Sequence, residues 1–331
     1  MALACVAFVL GAFVSLATSW LLVTRLERVG ERFGLSEALL GVVAALAADA
    51  PEITSSITAI SQHQRTIGAG VVIGSNAFNL AALLGLGAVV SGFIALHRRV
   101  VVLGGIVALW VAVWCILATT GLVSALLSLA LSSFVLVGYF IVLGLQRDVR
   151  QRLPLPRKIT RWLSSAVDEE EDEIAVAIRP ISGRPTDAVV AFGALIVVVV
   201  ASVAMERGAS TLGHHFRISD AVVGGIALAA VTSLPNAVAA MHLATKGRGA
   251  AAFSTALTSN NLNVVAGLLI PGALVGLAPP SFTGTFTAAT YLILTALVLV
   301  VAFAQRGLSR RFGWTIIASY AIFVLWLATA S

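Results

Sequence analysis

Charged side chains are scarce in this chain: Asp, Glu, Lys and Arg make up 11% of its 331 residues, where a soluble globular domain carries roughly a quarter. With an apolar fraction of 59%, so little charge cannot cover a water-soluble surface, and a soluble fold is excluded. The net charge of +6 does not describe a polyanion site either, because the basic residues sit in short gaps between apolar runs of about twenty residues. Cysteine is confined to Cys5 and Cys115. Both fall inside apolar runs, which leaves neither a disulfide framework nor a metal-ligand spacing. The first apolar stretch, Ala2 to about Val23, lacks a basic leader and is too long for a signal-peptide core, so it is expected to remain as a helix. Also missing are a GxGD protease motif, a HExxH zinc motif and a phosphate-binding loop. No His is predicted at the depth of Ser75 or Ser259 to act as their base. An enzyme is the least expected reading, and neither a nucleic-acid site nor an organic cofactor is visible.

What the chain does have is hydrophobic length. A helix needs about 20 apolar residues to cross the hydrocarbon core, and on that rule ten segments qualify, approximately 2–24, 36–61, 67–95, 101–119, 122–145, 187–205, 219–245, 250–276, 283–304 and 313–330. The runs are too long and too unalternating for barrel strands, so the expected fold is an all-α membrane protein. Basic loops are retained on the cytoplasmic side. Placing the N-terminus outside leaves all but Arg65, Arg207 and Arg217 of the 21 Lys and Arg residues inside. The chain then divides into 1–145, a cytosolic linker 146–186, and 187–331. The Arg-Pro-rich start of the linker, Arg147 to Arg161, is expected near the anionic inner leaflet. Its acidic run, Asp168 to Glu173, reads as a solvated segment before it reads as a cation sensor. The compact loops suggest a prokaryotic plasma membrane.

The two halves are related. A shift of 184 residues, without a gap, aligns Gly41 with Gly225, Ala45 with Ala229, Pro51 with Pro235, Ser75 with Ser259, Asn76 with Asn260 and Asn79 with Asn263. Each copy has a small-residue helix with polar residues around a Pro, then a second helix carrying Ser-Asn-x-x-Asn: AADAPE with GSNAFN, and VTSLPN with TSNNLN. Five spans per half is an odd number, so the second copy enters the membrane from the opposite side and the halves are expected to be inverted repeats. Pro51 and Pro235 each remove a backbone donor and free a carbonyl one turn earlier, near Ala47 and Val231. Freed carbonyls at mid-membrane depth need a polar partner, a water or an ion. Two such breaks at matching depth point to a central cation site.

Asp49 and Glu52 are the two acids read as lying deep within a span. Burying a charge at the bilayer centre costs about 2.5–3.5 kcal/mol on insertion scales, so such residues mark ion or proton pathways. Three apart, they share a helix face unless the Pro between them opens the turn. Their mutual repulsion favours holding a proton or attracting a cation. Carboxylates, hydroxyls and amide or backbone carbonyls suit hard cations such as Ca²⁺, Na⁺ or Mg²⁺. Ser75, Ser259, Thr232 and Ser233 are candidates for the site but equally for helix packing. Asn76 and Asn260 are read as bracing the broken helices, with Asn79 and Asn263 one turn further on. His214 and His215 are expected as a solvated pair in an outer loop, and His242 is given no role.

These residues resemble the cation/Ca²⁺ exchanger superfamily, which includes the sodium/calcium exchangers. Its two repeats carry G-T-S-x-P-E and G-N-x-x-G-S-N-x-F-N motifs. Pro51, Glu52, Gly74, Ser75, Asn76, Phe78 and Asn79 match in the first repeat; Thr232, Ser233, Pro235, Ser259, Asn260 and Asn263 match in the second. The resemblance implies a ten-helix antiporter with alternating access to central ion sites. Carried over position by position, it places coordinating side chains at Glu52, Ser75 and Asn79, then Thr232, Ser233, Asn236, Ser259 and Asn263, with backbone carbonyls at Ala45 and Ala229. The chain departs from the pattern in having Asn236 for the usual acid, Asn263 where many members have Asp, and Ala48-Asp49 for Thr-Ser. Val71 and Thr255 also replace the Asn of the G-N pair. Two carboxylates are kept, but both lie on the first repeat. The expected function is exchange of Ca²⁺ or a similar hard cation against Na⁺ or H⁺, with Glu52 and Asp49 as main ligands. The alternatives are a monovalent cation/proton antiporter, and an uncoupled cation pathway or membrane scaffold.

Overall fold

The computed structural model describes residues 1–33, 37–145, 149, 156–175, 183–234, 236–237 and 249–330. Pro235, His242, Lys246, Arg248 and, apart from Val149, the stretch from Gln146 to Leu155 lie outside the described residues. The first half comprises α1 (Ala2–Arg32), α2 (Glu37–Ala48), α3 (Ala50–Ser61), α4 (Arg65–Ser91), α5 (Arg98–Thr119) and α6 (Ala125–Gly144). Helix α7 (Arg157–Ala175) follows. The second half contains α8 (Pro185–Phe216), α9 (Asp220–Thr232), α10 (Gly249–Leu262), α11 (Ile270–Val275), α12 (Phe282–Gln305) and α13 (Arg310–Ala330).

Seven of these helices, α1, α4, α5, α6, α8, α12 and α13, are long and apolar enough to cross a membrane. The second and seventh apolar segments are interrupted, and the eighth is helical with a π-turn inside it. Asp49 separates α2 from α3, α9 ends at Thr232, and a π-helical turn, Asn263–Leu269, joins α10 to α11. Two further π-helical turns, Leu80–Leu86 in α4 and Val223–Leu228 in α9, border the Asn79 and Ala229 motif positions. Such turns are rare and gather at functional sites. Lipid-facing character is plain on the outer helices, where Phe13 is 72% exposed, Phe134 81% and Val189 72%.

Three boundaries differ from the hydropathy reading. The end of the third segment is not helical: Phe93–Ala95 (β1) pairs antiparallel with Gly307–Ser309 (β2), Ile94 opposite Leu308, tying the ends of α4 and α12 together. Within the linker, α7 packs on α2, α5 and α10 and buries Ala166 and Val167, just before the acidic run, whose backbone continues the helix. The sixth helix runs eleven residues past position 205, because Gly208 and Ala209 keep a packing face that polarity alone conceals. This places Glu206 inside a helix, a buried acid besides Asp49, Glu52 and the ion-paired Asp187, at a position that the hydropathy boundary gives to a helix end.

Association of helices in lipid lacks a hydrophobic drive and relies on close packing and interhelical hydrogen bonds. The most extensive helix pairing, antiparallel α1 against α8, follows that rule. A Cβ on Gly11 would come within 2.7 Å of the Ala201 carbonyl, and one on Gly208 within 2.7 Å of the Phe8 nitrogen. Ser15 and Ser202 share a 2.8 Å hydrogen bond in the same interface. At one end Arg25 pairs with Asp187 at 2.6 Å, and Arg28 approaches the same oxygen at 3.8 Å. In the centre, Gly70 and Gly74 of α4 lie against Gly224 and Gly225 of α9 so closely that a Cβ on Gly74 would overlap the Gly225 backbone. Gly74→Val is therefore expected to force the two helices apart and destabilise the protein by about 1–3 kcal/mol, read as a lower unfolding midpoint in detergent.

Candidate functional site

Pro51 sits in the first turn of α3, where its missing N–H leaves the Ala47 carbonyl without the usual helical donor. Ser19 of α1 supplies one, its hydroxyl donating to the Ala47 oxygen at 3.2 Å and to the Ala48 oxygen at 3.5 Å. The freed carbonyl is thus satisfied by a neighbouring helix and is not the feature that calls for an ion. The chain holds its direction through the break, because the Asp49 N–H reaches the Ala45 oxygen at 2.9 Å and the Ile53 N–H reaches the Asp49 oxygen at 3.0 Å. Asp49 and Glu52 consequently stay one turn apart on one helical path, both fully buried.

Each acid faces a neutral partner from the other half. Ser259 donates its hydroxyl to Asp49 Oδ1 at 2.5 Å, and Asn236 Nδ2 donates to the same oxygen at 2.7 Å. Ser233 donates to Glu52 Oε1 at 2.7 Å. Under the 184-residue shift Asp49 corresponds to Ser233 and Glu52 to Asn236, so these two contacts are counterparts with the charges on one side only. Asn79 Nδ2 reaches Ser259 Oγ at 3.3 Å and Asn260 Oδ1 at 3.1 Å. Ser75 lies 3.5 Å from Thr232 Oγ1 and donates to the Ala229 oxygen at 3.4 Å. Ala45 and Ala229 are buried, and their carbonyls already accept the N–H groups of Asp49 and Ser233.

A second ring of bonds holds this cluster. Asn76 Nδ2 donates to the Asn260 carbonyl at 3.0 Å, and Asn260 Nδ2 donates to the Asn76 carbonyl at 3.1 Å. Asn263 Nδ2 donates to Asn76 Oδ1 at 3.3 Å, the counterpart of the Asn79 to Asn260 bond. Ser56 ties α3 to the surrounding helices by reaching the Gly68 and Gly267 carbonyls, each at 2.8 Å. Every candidate side chain is buried in this region.

The network leaves oxygens without partners. Asp49 Oδ2, Glu52 Oε2, Asn79 Oδ1 and Asn263 Oδ1 are buried and accept no hydrogen bond. Leaving a buried polar atom unsatisfied costs about 1–3 kcal/mol, and the ion pairs among the described residues involve Asp187, not these acids. The unmet groups are all oxygen acceptors, which is what a hard cation requires. No group of three or more His, Cys, Asp or Glu occurs among the described residues, so the chemistry rests on two carboxylates and neutral oxygens. His214 and His215 remain exposed in the last turn of α8. Ser19, Ser56 and Glu206 were not found by sequence reasoning. Ser56 follows Glu52 by one helical turn and was within reach of such an argument, whereas nothing in the α1 sequence singles out Ser19.

The sequence model described as sodium/calcium exchanger protein matches residues 3–165 and 187–329. The chain is 30% identical over 241 residues to the inner membrane protein YrbG of Escherichia coli, covering 72% of this chain and 70% of that protein. It is 30% identical over 142 residues to sodium/potassium/calcium exchanger 1 of Gallus gallus, covering 40% of this chain but only 21% of the longer protein. In fold it is similar to a solved structure of the sodium-calcium exchanger NCX_Mj, with a TM-score of 0.61, 23% identity and 98% of each chain covered. Asn76→Ala is expected to destabilise the fold by about 1–3 kcal/mol for each partner left unsatisfied. The Asn260 carbonyl and Asn263 Nδ2 would both lose their bonds, and equilibrium unfolding in detergent measures the loss.

Proposed function

Since the chain belongs to the sodium/calcium exchanger protein family, we propose that it is a secondary antiporter moving Ca²⁺ or a similar hard cation against Na⁺ or H⁺. The observation that carries this reading is the set of four buried, partnerless oxygens on Asp49, Glu52, Asn79 and Asn263. Two carboxylates balance one divalent cation, or two monovalent ions or protons. Glu52 and Asp49 are the charged ligands, assisted by Asn79, Asn263, Ser75, Ser259, Thr232, Ser233 and Asn236, and by the Ala45 and Ala229 carbonyls, the latter already accepting from Ser75 and Thr232 as well as from the Ser233 N–H. The ions are cargo, and no resident cofactor is invoked.

The architecture proposed is ten spans in two inverted five-helix repeats with the N-terminus outside, the basic loops facing the cytosol of a bacterial inner membrane. Transport follows from rocking or sliding of a helix bundle past the motif helices, exposing one site to alternate sides. An open crevice lined by Thr66, Gly70, Ile73, Gly225 and Thr287 leads along the two helices that carry Ser75 and Ala229.

The absence of an acid at Asn236 favours a second reading, a monovalent cation/proton antiporter with Asp49 and Glu52 as proton acceptors. In proteoliposomes, uptake of radiolabelled Ca²⁺ driven by a Na⁺ gradient, set against uptake driven by a pH gradient, separates the two. Flux indifferent to any counter-ion gradient would refute both. Glu52→Gln is expected to abolish coupled cation flux; exchange at the wild-type rate in that variant would overturn the assignment of the site.

A further inference from the structure

Glu206 of α8 is fully buried, and neither of its carboxylate oxygens has a hydrogen-bond partner. It takes no part in the hydrogen bonds that join Asp49 and Glu52 to the second half. Along α8 it lies 19 residues beyond Asp187, about 28 Å at 1.5 Å per residue. That distance is close to the roughly 30 Å thickness of the hydrocarbon core, which puts Glu206 near the membrane boundary opposite the Arg25–Asp187 pair.

The surroundings offset its charge only weakly, through the neighbouring Arg207. Met205 and Ala209, on either side of it, pack into an apolar cluster with Phe8 of α1, Ala59 of α3, Ile67 of α4 and Val223 of α9. Arg207 on the same helix is exposed. Arg65, opening α4, gives its guanidinium to the Val275 carbonyl at 2.7 Å. Asp220 opens α9 and is acidic itself, and on α3 the acid is Glu52 of the central site. One turn beyond Glu206, on the same helical face, Ser210 Oγ accepts a 2.6 Å hydrogen bond from Gln64 Nε2. The other amide atom, Gln64 Oε1, is buried and also without a partner. A bare carboxylate in such a setting is strongly disfavoured and is neutralised by a proton or by a bound cation.

We propose that Glu206, with Gln64 Oε1 and Ser210 Oγ, forms a second site that holds one unit of positive charge, a proton or a Na⁺ ion, at the edge of the bundle. One carboxylate with neutral oxygens balances a single charge and is too poor in charge for a divalent ion. The site is a peripheral station, separate from the central pair, and its test reads bound charge, not flux, so it stands or falls independently of the transport assignment.

The experiment compares wild type, Glu206→Gln and Glu206→Asp as purified full-length protein in lipid nanodiscs. If Na⁺ occupies the site, equilibrium binding of radiolabelled Na⁺ falls by one ion per chain in Glu206→Gln and returns in Glu206→Asp. If a proton does, the infrared C=O band of a protonated carboxyl is lost in Glu206→Gln and regained, shifted, in Glu206→Asp, with Na⁺ binding unchanged. Glu206→Gln with unaltered Na⁺ stoichiometry and an unaltered carboxyl band overturns the proposal. Should that variant not fold, Gln64→Leu keeps the carboxylate and removes the neutral ligand. It is expected to weaken Na⁺ binding about tenfold or to shift the carboxyl band, and no change in either would overturn the proposal equally.

Discussion

The reciprocal clamp between Asn76 and Asn260 is the contact around which the rest is arranged. Each side chain donates to the main-chain carbonyl of the other at 3.0–3.1 Å, so two helices from opposite halves are bonded backbone to side chain in both directions. Asn79 and Asn263 then bond outward onto the same pair. With no water to substitute in the membrane interior, an amide that lost its partner there would stay unsatisfied. The clamp therefore fixes the spacing at which Asp49 can meet Ser259 and Asn236, and Glu52 can meet Ser233.

Inside that frame, backbone symmetry and charge symmetry come apart. Equivalent positions bond equivalently, yet one half supplies both acids and the other supplies the hydroxyl and amide donors. Those donors occupy one oxygen of each carboxylate and leave the second buried without a partner. In the proposed ion site both charged ligands would come from the first half, and the ligands from the second half would be neutral. The neutral side is expected to tolerate ions of different charge, which is why the two antiport readings differ over the ion and agree on the residues.

Around this centre the packing obeys the rules for lipid. Small residues bring α1 against α8 and α4 against α9, while large apolar side chains such as Phe13, Phe134 and Val189 are exposed on the outer helices. Ser19 shows how the outer helices serve the inner ones, since it satisfies the Ala47 carbonyl that Pro51 set free. Glu206 occupies the same layer, where α8 meets the motif helices, and its two carboxylate oxygens have no hydrogen-bond partner there.

Periodicity and composition made much of this legible. Apolar runs gave the helices, the 184-residue repeat paired the motif positions, and the rarity of buried acids picked out Asp49 and Glu52. Sequence alone was less able to place helix ends. Polarity stopped the sixth helix near residue 205, although the glycine and alanine that follow let it continue and bury Glu206. Strand pairing of Phe93–Ala95 with Gly307–Ser309 was equally invisible, because it joins segments more than two hundred residues apart. By itself the sequence determined that the chain lives in a membrane, that it is duplicated, and that its two central acids belong to one half. Only the tertiary structure decided which carbonyls and amides are already spoken for and which oxygens remain open, because hydrogen-bond satisfaction is a property of neighbours in space and no spacing along the chain encodes it.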